Sequence, residues 1–249
     1  MLNKLINFKK EGNLLVVTDL HGNLKDYNKY IDLWDCDNEN NHILFVGDLI
    51  HAHKVEDKSI EILNDAIEKL NNYNNFHVLL GNHEWCHITD TNIFKEDINQ
   101  TKSFKNLIKS KYGSLDLLNK YVELFKLLPI AAKTDNGIFI SHAGPTSHVN
   151  SLNELEYFLN NNNYNNKIID DLLWARPEMF YKREINNFLN TINCKYMVVG
   201  HTPVDGVKFN GNQLIVSSSF DTKYKAYLDI DLKKEFDSVN DFFKCINYI

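Results

Sequence analysis

Five short apolar runs in this 249-residue chain each end in residues that bind metals. Leu14-Leu15-Val16-Val17 leads into Asp19-Leu20-His21-Gly22, and Ile43-Leu44-Phe45-Val46 into Gly47-Asp48. Phe76-His77-Val78-Leu79-Leu80 leads into Gly81-Asn82-His83-Glu84. Ile138-Phe139-Ile140 ends in Ser141-His142-Ala143-Gly144, and Tyr196-Met197-Val198-Val199 in Gly200-His201-Thr202-Pro203. Runs of this length and composition read as buried strands. Where helices flank a sheet, ligands gather at the carboxyl ends of the strands. Asp19, His21, Asp48, Asn82, His142 and His201 can therefore converge although they are scattered in sequence. The set holds two carboxylates, three imidazoles and one amide oxygen, and no thiolate. That mixture suits Mn, Fe or Zn. A lone catalytic zinc usually takes about three protein ligands, so this set points to two metals sharing a carboxylate. Such a centre clamps the attacking and leaving oxygens of a displacement and would hydrolyse phosphate esters.

The elements that must position these residues follow from the apolar spacing. Residues 23–33 predict a helix directly after the first ligand pair. Ile60, Leu63, Ile67 and Leu70 recur at helical spacing, as do Leu117, Leu118, Val122, Phe125 and Leu128, which stop before Pro129. Residues 89–121 are expected to be mostly helical, and residues 213–217 and 224–230 to be strands. The asparagine-rich stretch around Tyr164 reads as a polar surface loop. Ser217-Ser218-Ser219-Phe220 should border the site, with Phe220 stacking on an aromatic group or packing. Trp85-Cys86-His87 is placed at the pocket wall. His42, His77, His87 and His148 are read as ordinary core or loop histidines, and Glu84 as a structural partner of the ligands.

Ordered as they are, Asp-x-His-Gly, Gly-Asp, Gly-Asn-His-Glu, Ser-His-Ala-Gly and Gly-His-Thr-Pro resemble the calcineurin-like metallophosphoesterase superfamily. They are most like its serine/threonine phosphoprotein phosphatase branch and the small bacterial and phage members of it. Leu172-Leu173-Trp174-Ala175-Arg176 resembles the Trp-x-Arg stretch of those small phosphatases, and the likeness spans residues 13–231. It implies an α/β sandwich of two mixed sheets flanked by helices, with the metals at one end of the sheets. It also implies one domain over residues 1–249 with a helical cap near residues 89–128. Asp19 and His21 would hold the first metal and Asp48 would bridge. Asn82, His142 and His201 would hold the second. A water between the metals would attack in line, His83 would protonate the leaving alkoxide as general acid, and Arg176 would grip phosphate oxygens. The implied activity is hydrolysis of phosphate monoesters, on phosphorylated proteins or small phosphate esters.

One motif departs from that branch. Where Gly-Asp is followed by Asp-Arg-Gly in the phosphatases, this chain has Gly47-Asp48-Leu49-Ile50-His51-Ala52. His51 replaces the carboxylate that orients the general acid, and Ala52 replaces the arginine. Histidine here resembles the repair-nuclease-like phosphodiesterases, so His51 is expected near the scissile phosphate, paired with His83. It supports an alternative reading as a phosphodiesterase, nuclease or dinucleoside polyphosphate hydrolase. A scaffold that has lost catalysis is disfavoured because every ligand position is filled. The net charge of −6 argues against tight nucleic-acid binding. No apolar run is long enough to span a bilayer, no signal peptide is read at the start, and Cys36, Cys86, Cys194 and Cys245 form no paired motif. These features predict a cytoplasmic protein with reduced thiols.

Overall fold

The computed structural model describes residues 3–220 and 222–249. The first strands are β1 (Leu5–Phe8), β2 (Asn13–Val17), β3 (Asn41–Phe45), β4 (Phe76–Val78), β5 (Phe94–Lys95), β6 (Ile98–Asn99) and β7 (Ala131–Thr134). They are followed by β8 (Ile138–Ser141), β9 (Tyr196–Val199), β10 (Val207–Asn210), β11 (Gln213–Val216), β12 (Ala226–Asp231) and β13 (Ile246–Tyr248). The helices are α1 (Leu24–Leu33), α2 (Ser59–Asn72), α3 (Asn82–Ile88), α4 (Gln100–Tyr112), α5 (Asp116–Leu127), α6 (Leu152–Asn160), α7 (Lys167–Trp174) and α8 (Lys182–Thr191).

Period-two alternation sets the layers. Leu14 and Val16 of β2, Ile138 and Ile140 of β8, Val198 of β9, Leu214 and Val216 of β11 and Leu228 of β12 form one buried cluster between two sheets. The side chains between them, such as Val17, Phe139, Met197 and Ile215, turn outward and join helix residues including Tyr27, Leu63 and Phe188. Both faces of each sheet are covered, which is why these strands read as unbroken apolar runs. One sheet has the order β1-β7-β8-β9-β11-β10 and the other β13-β12-β2-β3-β4, each mixing parallel and antiparallel pairs. The fold is the expected α/β sandwich of two mixed sheets flanked by helices. No helix among the described residues is long and apolar enough to cross a membrane.

The topology brings the ligand motifs together. β2, β3 and β4 are parallel neighbours, with Val17 opposite Phe45 and Phe45 opposite Val78. Asp19, Asp48 and Asn82 therefore leave one sheet side by side. β8 and β9 are parallel neighbours in the other sheet, so His142 and His201 leave it together. α1 begins after Asn23, whose side chain accepts the Asp26 N–H and closes the first turn.

The segment expected to be mostly helical divides in two. α4 and α5 fulfil the expectation, but residues 94–99 form the hairpin β5–β6 around a two-residue turn, Glu96-Asp97. Glu96 adopts a φ of +53°, as such tight hairpin turns demand. Two residues per strand leave no periodicity to read.

Candidate metal centre

Two glycines let the motif loops meet. Gly47 has a φ of +91°, and a Cβ on it would lie 2.5 Å from the Gly81 Cα. A Cβ on Gly81 would lie 2.3 Å from Asp48. Only bare backbone permits that approach. Glu84 then ties the loops together, accepting the N–H groups of Gly81 at 3.1 Å and of Asp48 and Leu49 at 2.9 Å each. It is fully buried. Burial and the Asp48 charge push its pKa up to about 7, and the backbone bonds oppose the rise.

Asp48 sits at the centre. Its Oδ1 accepts the His83 N–H at 3.0 Å. Its Oδ2 is left facing His142 Nε2 at 3.4 Å, His21 Nε2 at 3.7 Å and His83 Nε2 at 3.8 Å. Two ligand-capable groups share it: His21, Asp48 and His83, and Asp48, His142 and His201. Asn82 Oδ1 completes the second, 2.8 Å from His142 Nε2 and 3.2 Å from His201 Nδ1. Asp19 lines the same cleft, and both of its oxygens accept the His201 N–H at about 3 Å.

The donor set fits a cation. His142 Nδ1 lies 2.9 Å from the Val46 carbonyl and His21 Nδ1 lies 3.2 Å from that of Ile50. A carbonyl can only accept, so each Nδ1 carries hydrogen, and each Nε2, once free of a proton, offers its lone pair on the side of Asp48. Lone pairs and a carboxylate facing one another in a buried pocket are satisfied by a metal, and carbonyl anchoring of this kind aims metal-ligating imidazoles. Without a metal the charges reveal the same tension. Burial alone would lower the His142 pKa, yet Asp48 and Asp19 push it up to about 9. Burial and the Asp48 charge raise Asp19 to about 7. Asp48 itself is held well below its usual value, its burial outweighed by the surrounding imidazoles. A bound cation would take the place of the His142 proton.

Asp19, His21, Asp48, Asn82, His83, Arg176 and His201 line a cleft of about 400 Å³, and His142 is buried beside it. Arg176 projects from the exposed loop after α7. His51 does not line the cleft. It is 1 % exposed and lies behind His83, with its Nδ1 2.8 Å from His83 Nδ1. The expected pairing with His83 is present, and it is His83, not His51, that faces the cleft. Trp85-Cys86-His87 also lies away from the cleft: Trp85 donates to the Tyr164 carbonyl and packs on Trp174, and His87 packs behind His51. Sequence reasoning missed Lys95 and Lys54, which line the cleft. Lys95 stands on the β5–β6 hairpin with its Nζ 3.0 Å from the Phe220 ring centre, and Phe220 packs edge-on against His21. Recognising the Glu96-Asp97 turn would have brought Lys95 forward.

Comparison with known proteins bears on this arrangement. The calcineurin-like phosphoesterase family profile matches residues 12–205. The chain is 30% identical over 211 residues to a serine/threonine-protein phosphatase 2B catalytic subunit A2 of Saccharomyces cerevisiae. That match covers 78% of this chain and 32% of the relative, so the chain spans about a third of the relative's length. A protein serine/threonine phosphatase structure from Saccharomyces cerevisiae superposes with a TM-score of 0.74 at 20% identity, covering 92% of this chain and 76% of that one. A cold-active protein-tyrosine phosphatase from a psychrophilic Shewanella superposes with a TM-score of 0.66 at 16% identity, covering 92% and 79%. These two share the fold. With the profile spanning most of the chain and the metal-site residues present, the chain belongs to the calcineurin-like phosphoesterases, hydrolases that work with divalent metal ions.

Proposed function

We propose that this protein is a dinuclear metal-dependent phosphatase acting on phosphate monoesters, with phosphorylated protein or a small phosphate ester as substrate. The observation that carries the reading is the position of Asp48 Oδ2, shared by two ligand groups in one cleft that also holds Arg176. Asp19, His21 and Asp48 would hold one ion, and Asp48, Asn82, His142 and His201 the other. Bound ions supply an acidified water and neutralise charge on the phosphoryl oxygens.

The remaining work falls to the chain's own residues. Arg176, on the rim, offers a planar fork of donors to non-bridging phosphate oxygens, and Lys95 and Lys54 add positive charge to the same wall. A terminal phosphoryl group carries more charge than a diester, so this wall favours monoesters. His83 turns Nε2 towards the cleft and gives its proton to the leaving oxygen as the P–O bond breaks and the electron pair passes to that oxygen. The proton lost by the attacking water returns to His83 through solvent, which closes the balance. The diester reading drew on His51 and on Ala52 in place of the arginine, and the His51 ring is buried off the cleft surface.

The test is hydrolysis of para-nitrophenyl phosphate against bis-para-nitrophenyl phosphate in manganese, with a chelator control. Monoester turnover well above diester turnover, abolished by the chelator, is expected. Faster diester turnover, or activity that survives chelation, refutes the reading.

A further inference from the structure

His87 belongs to no sequence motif and does not line the cleft, yet it completes a row of three imidazoles. His83 and His87 lie one turn apart on α3, so their rings share a face. His51 enters between them from the loop after β3, at a φ of +68° and with its N–H donated to Ser59 Oγ. His83 Nδ1 is 2.8 Å from His51 Nδ1, and His51 Nε2 is 2.8 Å from His87 Nε2. Phe104 packs against both His51 and His87, and Phe125 against His87, so the inner end of the row is walled by aromatic rings.

The row has a direction. His87 Nδ1 is buried without a hydrogen-bond partner. A buried orphan N–H is costlier than a buried lone pair, so the His87 hydrogen belongs on Nε2, donated to His51 Nε2. His51 then carries its hydrogen on Nδ1 and donates it to His83 Nδ1. In the neutral row that leaves the His83 hydrogen on Nε2, the atom turned towards the cleft and Asp48; to act as acid His83 takes a second proton from solvent on Nδ1, donated to His51, and is left a neutral imidazole after transfer. The position that a carboxylate would occupy as a pure acceptor is taken here by an imidazole that can donate or accept, and His87 decides which.

We propose that His87 is a positioning residue which, through His51, sets the ring angle and tautomer of His83 and so aims its proton at the leaving oxygen. The inference rests on His83 being the proton donor. A residue that works through the donor matters most for substrates whose leaving group needs the proton. Phenyl phosphate needs it, and dinitrophenyl phosphate, with its far more stable leaving anion, scarcely does. His87→Phe keeps a ring among the aromatic neighbours and removes both nitrogens. His87→Gln restores an N–H donor at the reach of Nε2. A well-placed general acid supplies roughly 10²–10⁴-fold, and loss of its alignment should remove part of that. In the manganese-loaded enzyme, His87→Phe should lower kcat on phenyl phosphate by roughly 10-fold more than on dinitrophenyl phosphate, a fraction of the donor's effect. KM and bound manganese should stay near wild type, and His87→Gln should recover most of the phenyl phosphate rate.

Equal losses on both substrates, no loss, or failure of the glutamine to restore the rate would overturn the inference. Loss of bound manganese in His87→Phe would overturn it in another way, by making His87 part of a metal site with His51 and Cys86. His83→Asn separates the two levels. If it shows the leaving-group dependence and His87→Phe does not, only the role of His87 fails. If neither shows it, the donor reading of His83 fails and this inference falls with it.

Discussion

Glu84→Gln changes one atom of a fully buried side chain and should unsettle both the fold and the metal centre. Glu84 accepts two backbone N–H groups, from Asp48 and Gly81, at Oε2 and a third, from Leu49, at Oε1. The amide can keep its oxygen at the doubly used position. Its NH2 then faces the Leu49 N–H, donor against donor. One charge-assisted bond is lost with a buried donor stranded, at about 1–3 kcal/mol. The two surviving bonds lose their ionic character, which accounts for roughly half their strength. A total near 3 kcal/mol corresponds to a fall in Tm of about 6–12 °C for a chain of this size. Because Glu84 fixes the loops that carry Asp48 and Asn82, manganese affinity should also fall, by about 10–100-fold, as with other residues that support metal ligands. The assays are thermal unfolding of the metal-free protein and calorimetric titration with manganese, both above the pH of about 7 at which Glu84 titrates. A Tm within about 2 °C of wild type would refute the hydrogen-bond reasoning. A large Tm loss with unchanged manganese affinity would leave Glu84 a structural link with no hold on the ligands.

Three further outcomes are expected. Asp48→Asn removes the charge shared by both ligand groups, so the protein should lose both ions by metal analysis together with turnover; near-normal turnover would exclude a bridging role. Arg176→Ala should raise KM and lower kcat together, because the guanidinium would hold phosphate in ground and transition states alike. Unchanged steady-state constants would place Arg176 outside the reaction. The third concerns acid stability. His77, on the edge strand β4, is held neutral by burial, its pKa lowered from 6.5 to about 3. The unfolded chain therefore takes up a proton that the fold refuses between those two values. The His77 contribution is flat above about pH 6.5 and turns against the fold as the pH drops below it. The slope is about 1.4 kcal/mol per pH unit. His77→Leu should flatten the fall of urea-unfolding stability between neutral and mildly acid pH by that slope. An unaltered pH profile would mean that His77 protonates freely in the folded state.

That the candidate ligands meet was legible because each follows an apolar run, and strand ends in flanked sheets converge by topology alone. Where each side chain points within the site was not. His51 looked like a cleft residue because it stands six residues after strand β3, near Asp48 in sequence. Only the path of the loop shows it passing behind His83. His87 was taken for an ordinary histidine because its partner, His51, lies 36 residues away and the two meet only when α3 packs under that loop. Lys95 was hidden differently. Its strand is two residues long, too short to show a period, and helical patterns lie close by in the sequence.

The backbone at the site shows why orientation escapes sequence. Asp19, His21, Asp48, His51 and His201 all have positive φ, from +21° to +68°, and make up half of the ten non-glycine residues described in that region. Such residues cost about 1–3 kcal/mol each and persist only when their surroundings hold them. One holding contact joins a residue of each ligand set, and another joins Asp48 to His83. His201 is fixed by its N–H to both Asp19 oxygens, and Asp48 by the N–H of His83. A ligand here is thus also the clamp on the strained backbone of another ligand. Removing the Asp19 carboxylate would free His201 to relax, although Asp19 is assigned to one ion and His201 to the other. The two proposed metal positions would be coupled through the protein as well as through Asp48, so affinities measured for single-ligand variants should not divide cleanly into two independent sites.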